Sequence, residues 1–370
     1  MTEMAWFCWV NISFLFIHLS FFMGNDKFSK SMSLLSTGGG MQFDSVDKLV
    51  NDSIFFKFNK FCGLADLFVK VEGMNAGGSI KMKTAIALIR DAIKSKGLYK
   101  TKRFIESSSG NLGLSLSIIA AAKGLHFTCV VDKNTSSQNV KMMRALGTQV
   151  VIIEHKDEQG GYLGNRLAYI RSAIERDPEL IWLNQYQNMA NPAVHAEMTA
   201  KSILTEFSKV DYLFIGAGTT GTLMGCARFF RRYSPKTKLI AVDSIGSITF
   251  GTPGQTRHLP GLGSSVQPHF FDKSQVDLLI QIPEAETVAT CRDAARRFGY
   301  LGGASTGTVL AAVKRMRADI AQEAIVVAIS PDMGSGYVDT VYNDEWCDRT
   351  FGASWKMAEK SIDMKGTEYV

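Results

Sequence analysis

Asn75-Ala76-Gly77-Gly78-Ser79-Ile80-Lys81 closely follows the apolar run Leu67-Phe68-Val69-Lys70-Val71, and this junction decides the reading of the chain. The run is rich in β-branched and aromatic residues and reads as a strand. The paired glycines supply a tight turn, and the pattern from Thr84 to Lys94 reads as a helix. One lysine, Lys81, therefore stands where a strand hands over to a helix. Taken alone, a lysine after glycines describes a solvated loop equally well, because short motifs match by chance.

Three further segments share this layout. Glu106-Ser107-Ser108-Ser109-Gly110-Asn111-Leu112-Gly113 separates the β-rich Arg103 to Ile105 from an apolar helix over Leu114 to Ala122. Amides and hydroxyls crowded at a helix N-terminus favour anions; the plainer reading is an ordinary Ser or Asn cap. Gly216-Ala217-Gly218-Thr219-Thr220-Gly221-Thr222 lies between the strand-like Tyr212 to Ile215 and a helix over Leu223 to Phe230, the outline of a phosphate cradle. Gly302-Gly303-Ala304-Ser305-Thr306-Gly307-Thr308 opens a fourth helix, Val309 to Met316.

The cradle carries no Gly-Lys-Ser/Thr. Its Gly216-x-Gly218-x-x-Gly221 has no clear acidic ribose ligand, although Asp243 at a compatible distance keeps a dinucleotide site as the second choice.

In this order the four turns resemble the cysteine synthase and cystathionine β-synthase family, the fold-type II pyridoxal phosphate enzymes, over about Ser45 to Tyr342. The resemblance implies an α/β fold of two lobes, each with a largely parallel sheet flanked by helices. It implies pyridoxal 5'-phosphate as cofactor, attached to Lys81, with Asn111 on its ring hydroxyl. Gly218, Thr219, Thr220, Gly221 and Thr222 would hold the phosphate, and Ser305 would face the pyridine nitrogen. Ser108, Ser109 and Gly110 match the loop that grips the substrate α-carboxylate, with Gln185 helping. Ser330-Pro331-Asp332-x-Gly334 resembles the family's closing turn near the cofactor.

These residue types suit one another chemically. A lysine that holds the cofactor covalently is freed when the substrate amine displaces it, and can then act as general base at Cα. A neutral serine at the ring nitrogen, rather than an aspartate, would leave that nitrogen largely unprotonated, which suits β-elimination better than transamination. The implied reaction is β-replacement through an aminoacrylate on a serine or cysteine derivative.

Departures from the family pattern concern the surroundings. Where many members read Asn-Pro-Gly-Gly-Ser-Val-Lys-Asp-Arg this chain has Ala76, Met82 and Lys83, and where the substrate loop usually has threonine it has Leu112. Loss of that hydroxyl removes a donor worth about 1 kcal/mol and is expected to put an apolar group on the pocket wall. The motifs look most like one branch, the N-(2-amino-2-carboxyethyl)-L-glutamate synthases of diaminopropionate and siderophore biosynthesis, implying O-phospho-L-serine and L-glutamate as substrates. Cysteine synthase, a cystathionine β-synthase-like enzyme, a serine or threonine dehydratase and a non-catalytic binding protein on the same fold are the alternatives. Arg257, in the loop Gln255 to Gly263, is the candidate anchor for an anionic substrate, weighed against a solvated surface arginine.

Composition agrees with a large enzyme: 370 residues, 46% hydrophobic and 21% charged, can bury two cores. The net charge of +6 is dispersed without a basic-aromatic repeat, so nucleic acid is not an expected partner; small amino acids are. Six cysteines without CxxC or CxxH spacing argue against a metal site or a disulfide framework and fit a cytoplasmic location. His195 and His258 have no partner in a recognisable triad and read as ordinary polar residues.

The expected organisation is a large cofactor-binding domain of residues 41–84 plus 186–350, a small mobile domain of 85–185, and a C-terminal tail of 351–370. The apolar segment Met4 to Met23 in residues 1–40 is either a marginal membrane anchor or the product of an upstream start, with translation beginning at Met32 or Met41. A homodimer is expected from the resemblance alone.

Overall fold

A computed structural model describes residues 43–64, 66–96, 102–158 and 161–366. Residues 1–42, and with them the apolar segment Met4 to Met23, lie outside the described residues. No helix among the described residues is long and apolar enough to cross a membrane. Ser45–Val370 forms one compact unit.

That unit is built on two sheets. The larger has six strands in the order β1 (Phe55–Phe58), β2 (Asp66–Val71), β10 (Ile325–Ser330), β7 (Tyr212–Gly216), β8 (Lys238–Ser244) and β9 (Leu278–Ile282). All its pairings are parallel except β1 with β2. The smaller is wholly parallel, in the order β5 (Gln149–Ile153), β4 (His126–Asp132), β3 (Arg103–Ser107) and β6 (Ile181–Trp182).

Parallel strands need helical crossovers and are covered on both faces, so their sequences are almost continuously apolar. Alternate residues of β7 show this. Tyr212 and Phe214 pack with Leu67, Val69 and helix α9 (Ala304–Arg315), while Leu213 and Ile215 pack with Val327, Ile329 and helix α7 (Gly221–Tyr233). A third core lies between helices α1 (Lys81–Lys96) and α2 (Asn111–Lys123) and one face of the small sheet. Helices α3 (Ser137–Ala145) and α4 (Leu163–Arg176) complete the crossovers of that sheet.

The expected strands and helices of the core are all present, with ends shifted by a few residues. Phe55–Phe58, Ile181–Trp182 and Leu278–Ile282 are further strands that the sequence pattern does not mark. All three are edge strands, short or half-exposed, and carry little periodic signal. The stretch from Ala190 to Glu206 is not one regular helix but α5 (Ala190–Val194), a π-helical turn His195–Ala200 and α6 (Lys201–Glu206). Such turns recur at functional sites. Beyond α8 (Glu284–Phe298) and α10 (Asp344–Phe351), the C-terminal residues form α11 (Ser354–Gly366). Its Trp355 is buried beneath the Arg292 guanidinium, 4.4 Å from the ring.

Candidate active site

Lys81 is placed by a turn that holds itself together. The Asn75 side-chain amide donates to the carbonyls of Glu72 and Ser79, each at 2.9 Å, and its Oδ1 accepts from Gly77 N at 3.0 Å. Gly78 takes φ +64°, a backbone conformation open to glycine. The turn is then stitched to the end of β10: Ile80 N donates to Pro331 O at 2.7 Å and Ser79 bridges Asp332 in antiparallel fashion. Lys81 thereby becomes the first residue of α1, its amide donating to Ser79 Oγ at 3.3 Å.

One cavity collects the sequence motifs. Its lining includes Lys81, Asn111, Gly218 to Thr222, Ser305 and Asp332, closed by Gly261 and Leu262. A second, more open groove, lined by Asp52, Glu197 and Glu206 among others, contains none of these residues.

Asp332 is the hub of the cavity. Its Oδ1 accepts from Ser305 Oγ at 3.0 Å, and its Oδ2 accepts from Asn111 Nδ2 at 2.9 Å and Tyr337 OH at 2.7 Å. Burial pushes its carboxyl upward, opposed by these three donors and by Lys81. Burial likewise pulls the Lys81 amine down, with Asp332 opposing it. Ser305, the residue expected at the ring nitrogen, is bonded to a carboxylate contributed by the closing turn.

The phosphate turn has the backbone of an anion cradle. Thr220 adopts φ +64°, a strained position for a β-branched residue, of the kind concentrated at ligand sites. A Cβ at Gly218 would come within 3.2 Å of Gly261 O. Helix α7 has no side-chain cap and no acidic residue in its first turn. Its Gly221 and Thr222 amides precede the bond from Met224 N to Thr220 O. Behind the turn, His195 Nε2 contacts Thr222 Oγ1 at 3.3 Å and Thr84 Oγ1 at 3.1 Å, while Nδ1 meets Thr199 Oγ1 at 3.2 Å. Burial, aided by Lys83 and Lys81, holds this imidazole well below its usual range, so it is neutral. Its plain polar reading holds, with the added role of joining α1, the π-helical turn and the phosphate turn.

The substrate loop is only partly in the cavity. Asn111 lines it, whereas Ser108 uses its Oγ to accept from Gly113 N at 3.0 Å and Ser109 offers its carbonyl to Asn139 Nδ2 at 3.3 Å. Gly110 is the residue before α2. Gln185 is buried, and its amide donates to Ser107 O at 2.8 Å. Glu106 binds Ser107 N at 2.7 Å and Gln185 N at 3.0 Å, tying that turn to the loop; burial raises its carboxyl to about 7. Arg257 is also turned away, donating to Leu262 O at 2.8 Å within its own loop.

Leu112 is a correction. It is 2% exposed and packs with Met82, Ala85, Leu88 and Leu116 in the core beside the small sheet, not on the cavity wall. Met82, the other apolar departure, lies in that same core. Lys83 is fully buried in an ion network, donating to Glu72 Oε1 at 2.8 Å and Thr199 Oγ1 at 3.1 Å and pairing with Asp52. Asp243 is fully buried, which leaves no face for a ribose and removes the dinucleotide alternative. The Cys129, Cys226 and Cys291 thiols are pushed to about 12 by burial and behave as core residues.

The sequence pattern of the pyridoxal-phosphate dependent enzymes matches residues 55–332. The chain belongs to this family. Among solved structures, an O-ureido-L-serine synthase matches this pyridoxal-phosphate enzyme with a TM-score of 0.75 and 28% identity, covering 82% of this chain and 96% of that one. The O-acetylserine dependent cystathionine β-synthase from Helicobacter pylori gives 0.75 and 25%, over 82% and 100% of the two chains. A hydrogen sulfide-producing enzyme from Fusobacterium nucleatum gives 0.75 and 28%, over 81% and 99%. The protein is therefore a fold-type II, pyridoxal phosphate-dependent enzyme of the cysteine synthase group. The residues present fit the cofactor, since an amine, an uncapped helix N-terminus with a glycine-lined approach, and polar side chains share one cavity.

Proposed function

We propose that this enzyme performs β-replacement on O-phospho-L-serine with the amine of L-glutamate, giving N-(2-amino-2-carboxyethyl)-L-glutamate and phosphate for siderophore-type biosynthesis. The observation that carries β-replacement is the convergence of Lys81, Asn111, the phosphate turn and Ser305 on one cavity. The substrates rest on the motif resemblance.

Pyridoxal phosphate, when bound, supplies the electron sink for charge developing at Cα. Lys81 would hold it covalently and then take and return the Cα proton at Nζ; burial favours the neutral amine that both tasks require. The amides and hydroxyls of Gly218 to Thr222 would receive the phosphate. Asn111 would turn its amide to the ring hydroxyl, and Ser305 would face the ring nitrogen. Ser108, Ser109 and Gly110, with Gln185 behind them, would place the substrate carboxylate. The small lobe of residues 85–185 would close on the large lobe of 41–84 and 186–350, in a cytoplasmic homodimer.

A second reading is cysteine or cystathionine synthesis. It is favoured by the burial of Leu112, which leaves the cavity without an added apolar wall. Product analysis after offering O-phospho-L-serine or O-acetyl-L-serine with L-glutamate or sulfide separates the two. The glutamate adduct from phosphoserine supports the first, and cysteine as the sole product overturns it.

A further inference from the structure

Glu106 lies near the end of β3, just before the substrate loop, and is fully buried without lining the cavity. Its carboxylate collects three donors: Ser107 N at 2.7 Å and the Trp182 indole Nε1 at 3.3 Å reach Oε1, and Gln185 N at 3.0 Å reaches Oε2. Each is an N–H group that can only donate, so the direction of every bond is fixed and both oxygens are committed as acceptors. None of these partners is a cation. A buried carboxylate held by N–H groups alone costs free energy that an apolar side chain would not, so packing by itself does not account for it.

What Glu106 holds is a seam between two segments distant in sequence. Ser107, whose amide it takes, offers its carbonyl to Gln185 Nε2 at 2.8 Å and Tyr186 OH at 3.3 Å. The Gln185 carbonyl in turn accepts from Asn191 Nδ2 at 2.8 Å, and Asn191 is packed so closely on the phosphate turn that a Cβ at Gly221 would lie 2.2 Å from its Oδ1. A continuous path thus runs from the substrate loop through Glu106, Gln185 and Asn191 to the phosphate turn. We propose that Glu106 is a positioning residue for carboxylate recognition: it clamps the loop of Ser108 to Gly110 in register with the phosphate turn, and so selects amino acids over plain amines. The inference rests on the reading above that this loop takes the substrate carboxylate.

Full-length holoenzyme titrated with L-alanine and with ethylamine tests this, because the two differ only in the carboxylate and neither carries a leaving group. The shift of the visible cofactor band reports each affinity, and the ratio of the two isolates the carboxylate. Glu106→Gln keeps the shape of the side chain but sets an N–H group against one of the N–H donors. Its alanine-to-ethylamine affinity ratio is expected to fall about ten-fold or more, the equivalent of one charged hydrogen bond, with ethylamine affinity unchanged. A ratio equal to that of the wild type, or a matching loss for both ligands, overturns the proposal. Should that variant fail to hold cofactor, Glu106→Asp keeps the charge but falls one methylene short, and a lower ratio is again expected; an unchanged one overturns the proposal. Ser109→Ala separates the layers. If neither it nor the Glu106 variants move the ratio, the placement of the carboxylate on this loop falls with the proposal, whereas a ratio moved by Ser109→Ala alone removes only the role of Glu106.

Discussion

Asn111 Nδ2 donates to Asp332 Oδ2 at 2.9 Å across 221 residues of sequence. This bond joins the N-terminus of α2, which belongs to the small sheet, to the turn after β10 of the large one. Each sheet thus contributes one side of the cavity.

Lys81→Ala removes both the covalent tether and the proposed base. Reconstituted protein is expected to lack the visible Schiff-base band and to turn over about 10²–10⁴-fold more slowly, the range spanned by loss of a general base. Absorbance spectra and steady-state kinetics check both.

Lys83→Met leaves the buried Glu72 and the part-buried Asp52 with Lys70 as their remaining cation, its Nζ 3.5 Å from Glu72 Oε1. Breaking a buried pair from one side costs about 3–5 kcal/mol. Urea unfolding of the cofactor-free protein is expected to show a loss of that order.

His195 gives a pH dependence with a definite sign. Its folded-state pKa lies well below the ordinary imidazole value of about 6.5 because burial disfavours the charged ring. As pH falls below about 6.5 the unfolded chain takes up a proton that the folded one refuses, so stability declines toward acid by up to about 1.4 kcal/mol per pH unit. His195→Gln is expected to flatten this slope between pH 7.5 and 5.5 in denaturant titrations.

Leu112→Ala is expected to act on stability. Deleting most of a buried leucine side chain costs about 2–5 kcal/mol, and because the residue does not line the cavity, KM for the amino-acid donor is expected to stay unchanged. A large change in KM at unchanged stability would contradict its placement.

Arg257→Ala tests the loop that closes the cavity. The side chain holds Leu262 O, and Leu262 with Gly261 lines the site. Loss of a charged hydrogen bond of about 1.5–3 kcal/mol is expected to weaken cofactor retention by about ten-fold or more. A raised KM for phosphoserine or glutamate with cofactor affinity intact would instead restore the anion-anchor role.

The sequence by itself determined the alternation of strands and helices, the four small-residue turns and the cofactor class. Those features are local: a glycine's φ, a period of two or 3.6, and an amide-rich helix start are written within a few consecutive residues. Tertiary structure alone decided where side chains point. Leu112 sits between two serine-rich neighbours in sequence yet faces inward to Met82, because α1 packs on α2. Arg257 folds onto its own loop because the Leu262 carbonyl needs a donor. Ser305 is bonded to Asp332 because the end of β10 returns beside the start of α9. Such directions depend on which distant element fills the adjoining space, and no run of consecutive residues carries that information.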